Sequence, residues 1–194
     1  MTLTILCEGK RDCTFLEKIV NDSLRVVNYH EKDKILREII DRSLMAKVNV
    51  IIENGKQKLI KNINLIVSKL RSIRQTASIL AIIDLDTNKV EASESLTGKI
   101  EKNIKSLIND PRRFHVLKPS LSSKRESSCY HVINVTYHRG VKVNLHVITI
   151  PIDLEHWVKN ARDLQDLSKH SWFKTLVNLL EKHGVRTRTL TLKT

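Results

Sequence analysis

The chain has 194 residues, 41% hydrophobic and 28% charged, which suffices for one compact domain with a core and excludes global disorder. Its 34 Lys plus Arg against 21 Asp plus Glu leave a formal net charge of +13, a surplus that favours a polyanionic partner because neutralising phosphates releases condensed counterions. No apolar run approaches the roughly 20 residues that span a bilayer, and Glu8 interrupts the N-terminal run before a signal core forms, so the sequence predicts a cytoplasmic protein with no membrane partner.

Aromatic residues make up 4%, which disfavours a single-strand binder built on base stacking relative to a protein that reads phosphates. The three cysteines, Cys7, Cys13 and Cys129, lack the close spacing of a metal site. Their odd number in a reducing compartment reads as free thiols.

In chain order, Leu3 to Cys7 is a short, apolar, buried strand ending at Glu8-Gly9. Phe15, Leu16, Ile19, Val20 and Leu24 keep helical spacing, as do Ile35, Leu36, Ile39, Ile40 and Leu44, so two helices are expected next. Val48 to Ile52 is a second strand, stopped by the turn dipeptide Asn54-Gly55. Leu59, Ile63, Ile66, Leu70 and Ile73 predict a long amphipathic helix. Ile79 to Ile83 is the most apolar strand and runs into Asp84-Leu85-Asp86. Leu96, Ile100, Ile104, Leu107 and Ile108 give a further helix closed by Asp110-Pro111, with Phe114 to Leu117 as a fourth strand. Lys118 to Ser128, rich in serine and basic residues, reads as a mobile loop. Tyr130 to Tyr137 and Val141 to Ile150 predict a hairpin around His138-Arg139-Gly140. Helices from Leu154 to Leu164 and from Trp172 to His183 follow, then a β-branched tail from Thr187 to Leu192. The pattern is α/β, a parallel sheet with crossover helices.

Open parallel sheets bind ligands beyond the carboxyl ends of their strands. Here the residues at those positions are acidic: Glu8 after the first strand, Asp84 and Asp86 after the third. Like charges a few ångströms apart raise each other's pKa, and a hard cation relieves the repulsion. Mg²⁺ suits such a site, because it takes few carboxylates and keeps waters that phosphate oxygens can replace.

The segment Ile5-Leu6-Cys7-Glu8-Gly9-Lys10-Arg11-Asp12, followed by Phe15-Leu16, resembles the glutamate motif of Toprim domains, and Ile82-Ile83-Asp84-Leu85-Asp86 resembles their Asp-x-Asp motif. The Asn54-Gly55-Lys56 turn is similar to their glycine turn. The resemblance implies a Toprim-like, Rossmann-like parallel sheet flanked by helices over residues 1–120. Residues 121–194 would be an extension packed on the same domain, with a β-hairpin at 130–150 and helices over 154–183. It further implies a Mg²⁺- or Mn²⁺-dependent site acting on phosphodiester bonds of DNA or RNA, as in topoisomerases, bacterial-type primases, OLD-family nucleases and small ribosomal-RNA maturation nucleases. Glu8 would be general acid/base or metal ligand, with Asp84 and Asp86 as metal ligands. Asp12 matches the second acid of the Glu-Gly-x-x-Asp variant, and Asp153 and Glu155 resemble the downstream acids of OLD-like nucleases, enough for a second ion. The Gly-x-x-x-x-Gly-Lys-Ser/Thr phosphate loop does not occur in the sequence, so an ATPase of the OLD type would be a separate partner. A homodimer is left open.

Lys10 and Arg11 beside Glu8, together with Arg112, Arg113, Lys118, Lys124 and Arg125, are the candidate phosphate contacts. The plainer roles stand beside these. Glu8 would be an ordinary strand-end residue, Asp12 a helix N-cap, Asp153 and Glu155 the start of a helix, Asp84 and Asp86 a solvated turn, and the basic stretch a solvated loop. Cys129, His131, His138 and His146 do not have zinc-type spacing. Tyr29, Tyr130 and Tyr137 as topoisomerase nucleophiles would need DNA-gate domains that this length does not hold. The expected activity is a metal-dependent nuclease. Its rivals are a nucleic-acid-binding or regulatory protein without turnover, a primase-like nucleotidyl transferase, and a structural protein whose charge only keeps it dissolved.

Overall fold

A computed structural model describes residues 3–41, 46–70, 76–110, 119–137, 140–161 and 164–188. Seven strands form one sheet in the order β2-β3-β1-β4-β7-β6-β5. The strands are β1 (Leu3–Cys7), β2 (Leu24–Asn28), β3 (Val48–Ile52), β4 (Ala77–Asp84), β5 (Ser120–Ser127), β6 (Tyr130–Thr136) and β7 (Lys142–Ile150). Strands β2, β3, β1, β4 and β7 run parallel, β6 pairs antiparallel with β7, and β5 pairs antiparallel with β6 and so runs in the same direction as the first five. The sheet is therefore mixed, where the sequence pattern predicts only parallel strands and an appended hairpin. Strand β4 pairs with β7 over its whole length, from Ala77↔Val143 to Asp84↔Ile150, so the hairpin extends the central sheet.

Alternation along the strands fills two cores. On one face, Leu6, Ile51, Ile79, Ala81, Ile83, Leu145 and Val147 meet α2 (Lys32–Asp41), α3 (Lys56–Lys69) and α4 (Val90–Ile108). On the other, Leu3, Ile5, Val50, Leu80, Ile82, Ile148 and Ile150 meet α1 (Lys10–Ile19), α5 (Leu154–Asn160), α6 (Leu164–Leu167) and α7 (Ser171–Lys182). Strands buried on both faces read as continuous apolar runs, which is why β1, β3 and β4 stand out in the sequence. Among the described residues no helix is long and apolar enough to cross a membrane.

Three expectations are corrected. Leu24 does not end the first helix: α1 stops at Ile19, Val20 turns extended at φ −96° and ψ 132°, and Leu24 begins β2. The β-branched pair Val26-Val27 favours that strand. The serine-rich stretch is not a loop, because Ser120–Ser127 pairs with β6 as an edge strand. Its polar, exposed side chains and a bulge between Arg125 and Ser127 are devices that keep an edge from pairing further. The helix expected over Leu154 to Leu164 instead ends at Asn160, with α6 starting at Leu164. In the tail, Thr187 makes one bridge to Val20. The expected strand Phe114 to Leu117, the turn residues His138 and Arg139, and the tail from residue 189 onward lie outside the described residues.

Candidate metal centre at the carboxyl edge of the sheet

Helix direction creates the cleft. Strands β1 and β7 send α1 and α5 to one face, whereas their neighbours β3 and β4 send α3 and α4 to the other. Where neighbouring connections part to opposite faces, a crevice opens beyond the carboxyl ends of the strands. A cleft of about 500 Å³ lies there, lined by Glu8, Asp12, Asp84, Asp153 and Glu155, with Gly9, Lys10, Arg11 and Gly55.

Backbone geometry at this edge is unusual. Among the described residues, the non-glycine residues with positive φ are Asn54, Asp86 and Ile152, and each follows β3, β4 or β7. A left-handed conformation is uncommon for any side chain and a clear outlier for β-branched Ile152, so the turns around the cleft store strain of the kind that clusters at functional sites. Two backbone bonds join the loops after β4 and β7: Asp86 N–H donates to the Ile152 carbonyl at 2.6 Å, and Ile152 N–H to that of Thr87 at 3.0 Å.

The acids are held individually. Glu8 Oε1 accepts the Asp84 N–H at 2.9 Å, which ties the end of β1 to the end of β4. Asp84 Oδ1 accepts the Leu154 N–H at 3.1 Å, linking β4 to α5. Asp12, 8% exposed, accepts the Gly9 N–H at 3.0 Å across the first turn of α1, and Asp153 caps α5 through the His156 N–H at 2.6 Å. Asp153 is thus the N-cap of α5, whereas the N-cap of α1 is Gly9 and Asp12, expected as a cap, sits in the first helical turn and accepts the N-cap's N–H. Capping leaves carboxylate lone pairs over, so it does not exclude ligation. Glu155 pairs with Arg11 and, at 2.5 Å, with Lys159.

Electrostatics set these carboxyls apart. Burial pushes Glu8 up to about 7; the Asp84 N–H and Lys56 oppose the rise, while the Asp12 and Asp86 charges add to it. Burial also lifts Asp84 to about 7, with the charges of Asp12 and Glu8 next, the Leu154 N–H opposing and Asp153 adding. Asp12 is raised by burial against the pull of the Gly9 and Glu8 N–H groups. Four acids, Glu8, Asp12, Asp84 and Asp153, thus press on one another through a partly buried cleft. Every candidate donor is a carboxylate oxygen, the hard type that Mg²⁺ and Mn²⁺ take, so the set fits such an ion chemically. Among the described residues, no three His, Cys, Asp or Glu side chains are already gathered into a cage for one.

Other candidates are placed differently. Asp86 is exposed, does not line the cleft, and pairs with Lys56 at the start of α3. Lys10 and Arg11 line the cleft. Lys124 and Arg125 lie on β5, three strands from β4 and so roughly 14 Å to the side, where they pair with Glu126 and Glu94. Arg112, Arg113 and Lys118 lie outside the described residues.

Two residues at this edge were not singled out from sequence. Glu53 follows β3, is fully buried, and accepts a bond from Asn62. The rule that selects Glu8, an acid directly after an apolar strand, selects Glu53 equally. Lys56 supplies a positive charge beside Asp86 and Glu8, a role that only the folded proximity of β1, α3 and β4 creates.

No family model matches the chain, and neither a curated protein nor a solved structure matches it. The architecture, an α/β sandwich around a mixed seven-stranded sheet, is consistent with a Rossmann-like fold.

Proposed function

We propose that the chain is a divalent-metal-dependent nuclease whose centre is the acidic cleft. The observation that carries this reading is the pair Glu8 and Asp84: partly buried carboxyls from adjacent strands, joined through one backbone bond and each raised to about 7. Their order and strand context also support the Toprim resemblance of Glu8-Gly9 and Asp84-Leu85-Asp86. Bound Mg²⁺ or Mn²⁺ would polarise the phosphate and lower the pKa of an attacking water. Glu8, Asp12 and Asp84, which line the cleft, are the candidate ligands of one ion, and Asp153 with Glu155 of a second, while Asp86 would join only by leaving Lys56.

The chain's own residues supply the rest. Lys10 and Arg11, which line the cleft at the first turn of α1, would hold a backbone phosphate at its mouth. Glu8 would serve as a ligand of the metal ion or, left unligated, as the general acid/base, a role for which a carboxyl pushed up to about 7 is matched at neutral pH. The charge of +13 favours loading a polyanion. A second reading, a nucleic-acid-binding protein without turnover, draws on the ion pairs Lys56–Asp86 and Arg11–Glu155, in which basic side chains already neutralise acids.

Incubation of the purified protein with plasmid, single-stranded DNA and structured RNA in Mg²⁺ or Mn²⁺ distinguishes the two. The nuclease reading expects cleavage that EDTA stops and that is lost in the double variant Asp84→Ala, Asp86→Ala. Cleavage surviving in that variant overturns it. Salt-sensitive binding without cleavage favours the second reading.

A further inference from the structure

A second cavity, of about 290 Å³, opens between α1 and α5. Its α1 wall is Arg11, Thr14, Phe15 and Lys18, spaced i, i+3, i+4 and i+7, so a single helical face lines it. Its floor is apolar: Phe15, Leu154 and Val158. Phe15 is fixed from behind by Trp172 and Phe173, with ring centroids at 6.1 Å from each, so the floor is rigid. Around the rim stand three cations, Arg11, Lys18 and Lys159, against one carboxylate, Glu155.

This cavity borders the acidic cleft: Arg11 and Glu155, paired with each other, line both. Leu154 contributes its side chain to the floor while its N–H is bonded to Asp84, so one residue connects the apolar floor to a carboxylate of the candidate metal centre. The two spaces differ sharply in chemistry, one acidic and polar, the other apolar with a basic rim.

We propose that the α1–α5 groove is a nucleoside subsite, holding the base and sugar next to the phosphodiester bond that the cleft acts on; the inference rests on the nuclease reading. A flat apolar body carrying an anionic arm is the ligand that such a floor and rim complement, and a nucleotide has both. The volume lies at the small end of the roughly 300–1,000 Å³ range of small-molecule pockets, which suits one nucleoside. Contact through an apolar floor and charge, without a set of side chains aimed at base edges, makes this subsite tolerant of base identity.

The test measures binding of thymidine 5′-monophosphate and of 2-deoxyribose 5-phosphate in metal-free buffer by saturation-transfer NMR. The nucleotide is expected to bind about tenfold tighter than the sugar phosphate, the size of burying one base. Val158→Trp, which fills the groove, should erase that difference. Lys18→Glu should weaken both ligands about fivefold, while Lys105→Glu, on α4 across the sheet, should weaken neither. Equal affinity for the two ligands, or a preference that persists in correctly folded Val158→Trp, overturns the proposal, and Lys18→Glu matching Lys105→Glu does so without altering the floor. Hydrolysis of bis(p-nitrophenyl) phosphate, which carries no base, separates the two claims. Metal-dependent hydrolysis without base preference leaves the nuclease reading standing and removes the subsite. Base preference without metal-dependent hydrolysis overturns the nuclease reading and keeps the groove only as a nucleotide site.

Discussion

Replacing Asp84 with asparagine should make the metal-free protein more stable at pH 8. The amide oxygen can still accept the Leu154 N–H that Asp84 Oδ1 accepts at 3.1 Å, so the change removes charge and little else. The folded carboxyl titrates at about 7 against an ordinary 3.8. A difference of about three pH units at about 1.4 kcal/mol each is roughly 4 kcal/mol, and screening by water at this partly buried group reduces it to about 2 kcal/mol. The folded state keeps its proton where the unfolded state has lost it, so the wild-type protein loses stability as pH rises from about 4 and the loss is complete above about 7. Urea denaturation should therefore place Asp84→Asn about 2 kcal/mol above wild type at pH 8, the gap shrinking to about 0.5 kcal/mol at pH 4.5. Millimolar Mg²⁺ at pH 8 should stabilise wild type and leave the variant unmoved. A variant less stable than wild type at pH 8 in metal-free buffer would refute the claim that repulsion and burial strain this carboxyl.

The other predictions concern its neighbours. Asp153→Ala should destabilise the fold by about 1 kcal/mol by uncapping α5, whereas Asp153→Asn keeps the 2.6 Å cap and should cost little; a thermal melt separates capping from ligation, since Asn still weakens a second ion. Gly55→Ala should cost about 1–3 kcal/mol, because φ of +116° and ψ of 153° suit glycine alone. Gly9→Ala, at extended φ of −150° with nothing near its added Cβ, should stay within about 0.5 kcal/mol of wild type; equal losses at the two glycines would contradict the backbone argument. Lys56→Met removes a charge that lowers the Glu8 pKa, so carbon-13 NMR of the Glu8 carboxyl should show its midpoint moving above wild type's.

The central strands were legible because burial on both faces writes an uninterrupted apolar run, as in Ile79 to Ile83. The same rule pointed to the acids following them, and the fold brings Glu8 to Asp84 because β1 and β4 are direct neighbours. Edge strands were harder. β2 is short and half-exposed, and β5 is polar along nearly its whole length, so neither carries a hydrophobic period to read; pairing with a neighbour makes them strands. Partners across long sequence separations were likewise hidden. Lys56 on Asp86 and Arg11 on Glu155 follow from helix placement, and the basic residues Lys124 and Arg125 proved to face Glu126 and Glu94 instead of the cleft.

Binding of Mn²⁺, followed by loss of the free-ion electron paramagnetic resonance signal, tests the metal centre most directly. The account predicts that wild-type protein takes up the ion at pH 8 and that Glu8→Gln and Asp84→Asn each weaken uptake by at least about tenfold. No uptake by wild type, or equal uptake by all three proteins, would contradict it.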